Sequence, residues 1–182
     1  HMHLFFFNAA APTEIYSPSL HAALPVCGRR QLMAILFIDM DRFKSINDSL
    51  GHKIGDLLLQ AVAGRIQRLL EPGDEASRFG GDEFVVLLAG ERSEDQINAW
   101  VGELVRRLSA TYALDGQEVN TSPSVGVRIC PRDGQDIDSL IRSADAAMYS
   151  AKQAGRGQYR CFDPSLNLAD IQAFTLEQAF GS

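Results

Sequence analysis

Seven consecutive apolar residues, Leu32 to Ile38, run directly into Asp39-Met40-Asp41. A run this short and this apolar suits a strand buried on both faces, in the interior of a sheet. It is far too short to cross a bilayer, so no transmembrane helix is read from it. The chain around it has 182 residues, of which 46% are hydrophobic, enough to bury a core without a disulfide or zinc staple. Acids exceed bases by 23 to 17, a net charge of −6 that argues against a dedicated binder of nucleic-acid polymers. The three cysteines (Cys27, Cys130, Cys161) are widely spaced with no CxxC, and the four histidines show no metal-ligand spacing. That pattern implies a reducing compartment and no structural zinc.

Beyond the apolar run the elements alternate in type. Ile54 to Leu70 carries Leu57, Leu58, Ala61, Val62, Ile66, Leu69 and Leu70 at helical spacing, with Gly55-Asp56 at its start and Pro72-Gly73 after it. Ser77–Phe79 and Phe84–Leu88 flank Gly80-Gly81 and predict a β-hairpin. Ser93 with Gln96 fits a capping box opening a helix through Leu108. Tyr112–Leu114 and Gln117–Val119 flank Asp115-Gly116, a second hairpin signal. Ser124–Ile129 reads as a strand ended by Pro131 and Asp133-Gly134. Ile137–Ala154 reads as a helix closed by Gly155, followed by a last strand at Tyr159–Phe162 and an amphipathic tail over Leu166–Phe180. Hairpins mixed with helices predict an α+β fold, a mostly antiparallel sheet covered by helices.

Four clusters carry chemistry. Asp39 at the end of the buried strand is rigidly placed, which suits a hard cation such as Mg²⁺, while Asp41 fits the N-cap of a helical turn through Phe43 and Lys44. Arg78-Phe-Gly80-Gly81-Asp82-Glu83-Phe84 has two glycines that allow close backbone approach to a ligand, then two acids. It is either a plain hairpin with an acidic tip or, with Asp82 beside Asp39, a carboxylate pair for Mg²⁺ ions that bridge phosphate oxygens. Asn47 and Asp56 are helix caps or donors and acceptors for a base edge such as guanine. Lys152 and Arg156 close a helix, where they complement its dipole or reach phosphates. No GxxxxGK[ST] occurs, so a nucleotide would not be held by a P-loop.

The chain resembles the GGDEF family of diguanylate cyclases. The resemblance rests on Arg78–Phe84, on Phe37-Ile-Asp39-Met-Asp-Arg-Phe-Lys44-Ser-Ile-Asn-Asp48, and on Gly51-His-Lys-Ile-Gly-Asp56. It also rests on Ser124–Val127, on Ala144-Asp-Ala-Ala-Met-Tyr149 and on Ala151-Lys-Gln-Ala-Gly-Arg156. It implies a palm-like fold related to nucleotidyl cyclases, and condensation of two GTP into cyclic di-GMP with release of pyrophosphate. Asp39, Asp82 and the Met40 carbonyl would hold Mg²⁺ or Mn²⁺, with Glu83 in support. Phe43, Lys44, Asn47, His52, Asp56, Gly80, Gly81, Lys152 and Arg156 would bind GTP. Among these, Asn47 and Asp56 would read guanine, and Lys44, Lys152 and Arg156 would hold phosphates. Asp82 would also accept the proton of the 3′-hydroxyl. Because each domain holds one GTP, a second GGDEF domain is the partner required for turnover. Neither a nucleic-acid polymer nor a membrane surface is expected to contact this domain, and its expected location is the cytoplasm, whether or not the parent protein is membrane-anchored.

The pattern departs from the family in three places. Glu71-Pro-Gly-Asp74 stands where relatives carry an Arg-x-x-Asp product-inhibition motif, so feedback inhibition is expected to be weak or lost. The N-terminal Asp-x-Leu-Thr-x-Leu-x-Asn-Arg motif is absent, with Leu4–Thr13 in its place. Tyr159 through Phe180 resembles a linker leading into an EAL phosphodiesterase domain. The chain therefore divides into an irregular N-terminal arm at 1–30, a GGDEF domain at 31–162 and a helical linker at 163–182 toward an EAL-type domain. Asn8–Val26 is similar to a translated sequencing-adapter oligonucleotide, which leaves the arm readable as non-native or as a native irregular segment. His1-Met2 and Gly181-Ser182 read as cloning remnants. The alternative to the cyclase is a regulatory GTP-binding module that tunes an adjacent EAL domain.

Overall fold

The computed structural model describes residues 34–130 and 137–163. The expected arm at 1–30, the first two residues of the apolar run, the stop at Pro131 and Asp133-Gly134, and the tail at Leu166–Phe180 lie outside the described residues.

The apolar run forms β1 (Ala34–Met40), and all seven of its residues are buried. Each such Leu, Ile or Phe contributes about 1.5–3 kcal/mol relative to exposure. The other strands are β2 (Glu75–Gly80), β3 (Glu83–Leu88), β4 (Tyr112–Leu114), β5 (Gln117–Val119), β6 (Pro123–Ile129) and β7 (Tyr159–Cys161). Five of them form one sheet in the order β2-β3-β1-β6-β7, and β4-β5 form a separate pair. β1 pairs antiparallel with both β3 and β6, and among the described residues only β6–β7 is parallel. The mostly antiparallel α+β sheet with β1 at its centre is the architecture expected.

Among the described residues four helices cover it: α1 (Phe43–Leu50), α2 (His52–Gln67), α3 (Glu94–Leu108) and α4 (Ile137–Gln153). Strand alternation sorts the core into two layers. Ala34, Leu36, Ile38 and Met40 of β1 and Phe84, Val86 and Leu88 of β3 pack with the apolar faces of α2 and α3. Ile35 and Phe37 of β1 and Val85 and Leu87 of β3 pack with Leu140, Ala144 and Met148 of α4. On the α4 side, Gly126 of β6 sets the spacing. A Cβ there would overlap the backbone at Ala144 and Met148, so glycine lets α4 lie directly on the sheet.

Several boundaries shift from the sequence expectation. The helix expected at Ile54–Leu70 begins two residues earlier and ends at Gln67, leaving Leu69 and Leu70 to pack from the following turn. The helical turn expected through Phe43 and Lys44 is a full helix of eight residues. It has no fully buried residue and rests on half-buried Phe43 and Ile46, so its apolar signal is thin. The first hairpin turns at Gly81-Asp82 rather than Gly80-Gly81, because a register shift between Arg78 and Gly80 inserts Phe79 as a bulge. The capping box of α3 forms as expected: Ser93 Oγ accepts from the Gln96 N–H at 3.2 Å, and Gln96 Oε1 accepts from the Ser93 N–H at 2.8 Å. The Asp115-Gly116 hairpin also forms, with φ of 48° and 80° as its two-residue turn requires.

Candidate active site

The alternation that builds the core also builds an acidic site. Ile35 and Phe37 face α4, so Asp39 and Asp41 continue the same face past the end of the apolar layer. Val85 and Leu87 of β3 face α4, so Glu83 continues that face at the hairpin, and it stands opposite Asp39 in the ladder. The Met40 N–H donates to the Asp82 carbonyl at 3.3 Å, which brings the β1 main chain to the hairpin turn. Arg78 Nε donates to the Gly81 carbonyl at 2.8 Å and braces that turn from below. From α4, Lys152 reaches Asp39 Oδ2 at 2.9 Å.

This is more negative charge than one ammonium can offset. Burial, with Asp82 and Asp41 close by, holds the Asp39 carboxyl above its ordinary range against the pull of Lys152. Burial also raises Asp82, opposed by hydrogen bonding and by Lys152 and Arg78. Glu83 is pushed up to about 7 by burial and then by Asp39, Asp145 and Asp82. Asp145 is pushed up to about 6 by burial, with Lys152 pulling it down and Asp39 pushing it up.

Asp145 lies within an expected motif, but sequence reasoning gave it no role. The signal was available: it precedes Lys152 by seven residues, two helical turns, and so shares its face of α4. Among the described residues, no three acidic, histidine or cysteine side chains converge as a ready-made metal cage. The oxygen donors at hand are the Asp39 and Asp82 carboxylates beside the Met40 main chain. Such a set fits Mg²⁺, which binds through one or two carboxylates and fills its remaining positions with water and substrate oxygens.

The remaining expected residues lie on α1 and α2, at the hairpin and on the turn after α4. Lys44, His52 and Asp56 are exposed, as are Gly80 and Gly81 at the hairpin. Asn47 lies against Gly55 of α2, where a Cβ would overlap the Asn47 amide oxygen and come within 3.3 Å of Phe43 Cζ. That amide oxygen is buried and takes no hydrogen bond. The helix-cap reading of Asn47 and Asp56 is not what forms: α2 is preceded by Gly51, which makes no side-chain cap bond. Arg156 is exposed on the turn after α4, with Nε 3.9 Å from Asp41 Oδ1.

Asp41 departs from its expected role. The N-cap position of α1 is Arg42, in a left-handed conformation at φ 60° and without a side-chain cap. Asp41 instead points inward, 3% exposed. It accepts from Ser122 Oγ at 2.6 Å, Ser124 Oγ at 2.8 Å and the Gly157 N–H at 3.1 Å. The cap signal is local, whereas these partners lie 81 to 116 residues away in the chain.

At the far end of β2 and β3, two acids share one guanidinium, and the buried one is fully hydrogen-bonded. Arg92 Nη1 pairs with Asp74 Oδ1 at 2.7 Å, and its Nη2 pairs with Glu71 Oε2 at 2.7 Å. The Asp74 side chain is fully buried and also accepts from the Glu71 and Ala89 N–H groups at 2.9 and 3.0 Å.

Comparisons with known proteins place the chain in a family. The family model described as "Diguanylate cyclase, GGDEF domain" matches residues 16–158. The bifunctional diguanylate cyclase/cyclic di-GMP phosphodiesterase MucR of Pseudomonas aeruginosa is 44% identical over 134 residues, 74% of this chain and 19% of MucR. The cyclic di-GMP phosphodiesterase PdeR of Escherichia coli is 41% identical over 135 residues, 74% of this chain and 20% of PdeR. This chain thus spans about a fifth of the length of these two curated relatives. A solved form of TpbB from Pseudomonas aeruginosa comprising only the GGDEF domain superposes with a TM-score of 0.77 at 38% identity, covering 87% of this chain and 91% of that one. With most of its length matched in sequence and in fold, the chain belongs to the GGDEF family.

Proposed function

We propose that this domain is a diguanylate cyclase, condensing two GTP into cyclic di-GMP as a face-to-face pair of domains. The observation that carries the reading is the acidic pocket itself. Asp39 pairs with Lys152, and burial, with neighbouring carboxylates adding to it, raises Asp39, Asp82 and Glu83 alike. Such a site gains from a divalent cation, and GGDEF domains generally work with one. Asp39 and Asp82, with the Met40 carbonyl, would hold Mg²⁺, and Glu83 would support them. When bound, that cation neutralises charge on the phosphates and polarises the reacting oxygens.

The protein's own groups then have distinct tasks. Phe43, Asn47 and Asp56 would seat guanine, and exposed His52 would contribute to the same binding site. Gly80 and Gly81 would let the hairpin backbone lie close to the nucleotide. Lys44, Lys152 and Arg156 would hold the phosphate oxygens and offset charge as it develops. The 3′-hydroxyl of one GTP attacks the α-phosphorus of the other, and Asp82 accepts its proton. The bond to the β-phosphate breaks and pyrophosphate leaves. Repeating the step in the opposite direction closes the ring, which is why two domains must face each other. Lys152, paired with Asp39 in the present structure, would change partner as nucleotide and cation arrive.

Product control would differ from that of relatives with the Arg-x-x-Asp motif. Glu71 repels a phosphate, and Arg92, the nearest cation, is already committed to Glu71 and Asp74. Feedback inhibition through this position is therefore expected to be weak or lost.

The second reading, a GTP-binding module controlling an adjacent phosphodiesterase domain, draws on the names of MucR and PdeR and on the small share of each that the chain covers. One assay separates the two. The chain is incubated at high concentration with GTP and Mg²⁺, and the products are resolved by chromatography. Cyclic di-GMP that disappears in Asp82→Ala supports the cyclase. GTP binding without product, even when two domains are fused to force pairing, supports the module.

A further inference from the structure

Asp41 is a buried carboxylate with no part in the metal and nucleotide roles described above. Burying a charge is costly unless hydrogen bonds replace the lost water. Here they do: Oδ2 accepts from Ser122 Oγ and the Gly157 N–H, and Oδ1 accepts from Ser124 Oγ. The main chain of the same residue is fixed as well. Its N–H donates to the Ser122 carbonyl at 2.8 Å, and its carbonyl accepts from Thr121 Oγ1 at 2.6 Å. One residue therefore ties together the end of β1, the start of β6 and the turn after α4.

That turn holds an unfavourable conformation. Gly155, Arg156 and Gly157 have φ of 122°, 64° and 60°, and a non-glycine residue in the left-handed region costs roughly 1–2 kcal/mol. Local sequence would not keep Arg156 there unaided. The turn is held from one side by the Arg156 N–H donating to the Ala151 carbonyl at 3.1 Å, and from the other by Gly157 donating to Asp41. Ser122 closes the packing: a Cβ on Gly157 would come within 3.3 Å of its Oγ. The outcome is that the exposed Arg156 guanidinium stands with its Nε 3.9 Å from Asp41, whose face of the sheet also carries Asp39.

We propose that Asp41 is a positioning residue that pins the Gly155–Gly157 turn and so aims Arg156 at the phosphates of bound nucleotide. The proposal rests on the reading of this pocket as a GTP site. The tether itself is independent of that reading and has its own measurement. Asparagine at this position can keep an oxygen for the Gly157 N–H while the Ser124 hydroxyl rotates to accept from its amide. Alanine keeps neither.

The test measures two quantities on the same variants: hydrogen exchange of the Gly157 and Gln158 amides, and affinity for a non-hydrolysable GTP analogue with Mg²⁺. Asp41→Ala is expected to speed exchange in the turn and weaken nucleotide binding about tenfold, equivalent to roughly 1.4 kcal/mol. Asp41→Asn is expected to recover most of both. In an Arg156→Ala background, Asp41→Ala is expected to add no further loss of affinity, because the two act through one contact. Should Asp41→Ala fail to fold, Ser122→Ala removes one donor without stranding a charge. It is expected to give a smaller loss with the same dependence on Arg156. Equal losses with and without Arg156, or unchanged exchange at Gly157 in Asp41→Ala, would overturn the proposal. If the wild-type chain binds no GTP analogue, the nucleotide reading fails, and exchange at Gly157 still decides whether Asp41 tethers the turn.

Discussion

Two acidic clusters sit at opposite ends of the β2–β3 hairpin, and they are built to opposite ends. At the Glu71–Asp74 turn, a fully buried carboxylate receives two backbone N–H groups and a guanidinium that also holds Glu71. Donors match acceptors, and the cluster needs nothing from outside. At the Gly81–Glu83 end, Asp39, Asp82, Glu83 and Asp145 share Lys152, and every one of these carboxyls is raised. The same residue types thus lock a turn at one end and leave negative charge uncompensated at the other. Counting acids in a sequence does not distinguish the two; counting their partners does.

The largest contrast comes from deleting one acid at each end. Asp82→Ala is expected to reduce cyclic di-GMP formation by at least about 100-fold, and to leave the melting temperature unchanged or raised because repulsion is relieved. Chromatography of the products and a thermal melt check both halves. Asp74→Ala is expected to act on the fold, since it strands Arg92 and two backbone N–H groups. A loss of about 3 kcal/mol in chemical denaturation is the expected result, with turnover per folded molecule retained.

A smaller effect sharpens the contrast through pH. The folded-state carboxyls of Glu83 and Asp145 lie near 7 and 6, above ordinary values of 4.5 and 3.8, so the folded chain binds more protons than the unfolded chain across that window. Their contribution to stability is therefore highest at acidic pH and declines as pH rises toward 7. Glu83→Gln is expected to lessen this decline by on the order of 1 kcal/mol, and Mg²⁺ is expected to do the same for wild type, both read from melts between pH 5 and 7.5. The smallest expected effect is at the closed end. Cyclic di-GMP added to the assay should leave the initial rate nearly unchanged, whereas strong inhibition relieved by Glu71→Ala would show that the turn opens to product.

Much of this was legible in the sequence because it is local. The apolar run announced β1, the Ser93–Gln96 spacing announced a capping box, and Asp115-Gly116 announced a hairpin. The sheet order was not legible, because it depends on pairings such as Asp39 with Glu83 and Ser124 that no local pattern encodes. The same holds within the site. Asp39 stands out at the end of an apolar run, but the local pattern ties Asp41 to the helix that follows, whereas its partners are Ser122, Ser124 and Gly157. α1 gives a weak signal because it is short and half-exposed, and Asp145 gives none because its link to Lys152 is a spacing along α4.

The most direct measurement of the central contrast is paramagnetic broadening of backbone amide signals during titration with Mn²⁺ as a stand-in for Mg²⁺. The account predicts that Asp39–Asp41 and Asp82–Glu83 broaden first, and that Glu71, Asp74 and Ala89 remain sharp at the same Mn²⁺ concentration. Broadening centred on Glu71 and Asp74, or none at Asp39 and Asp82, would contradict it.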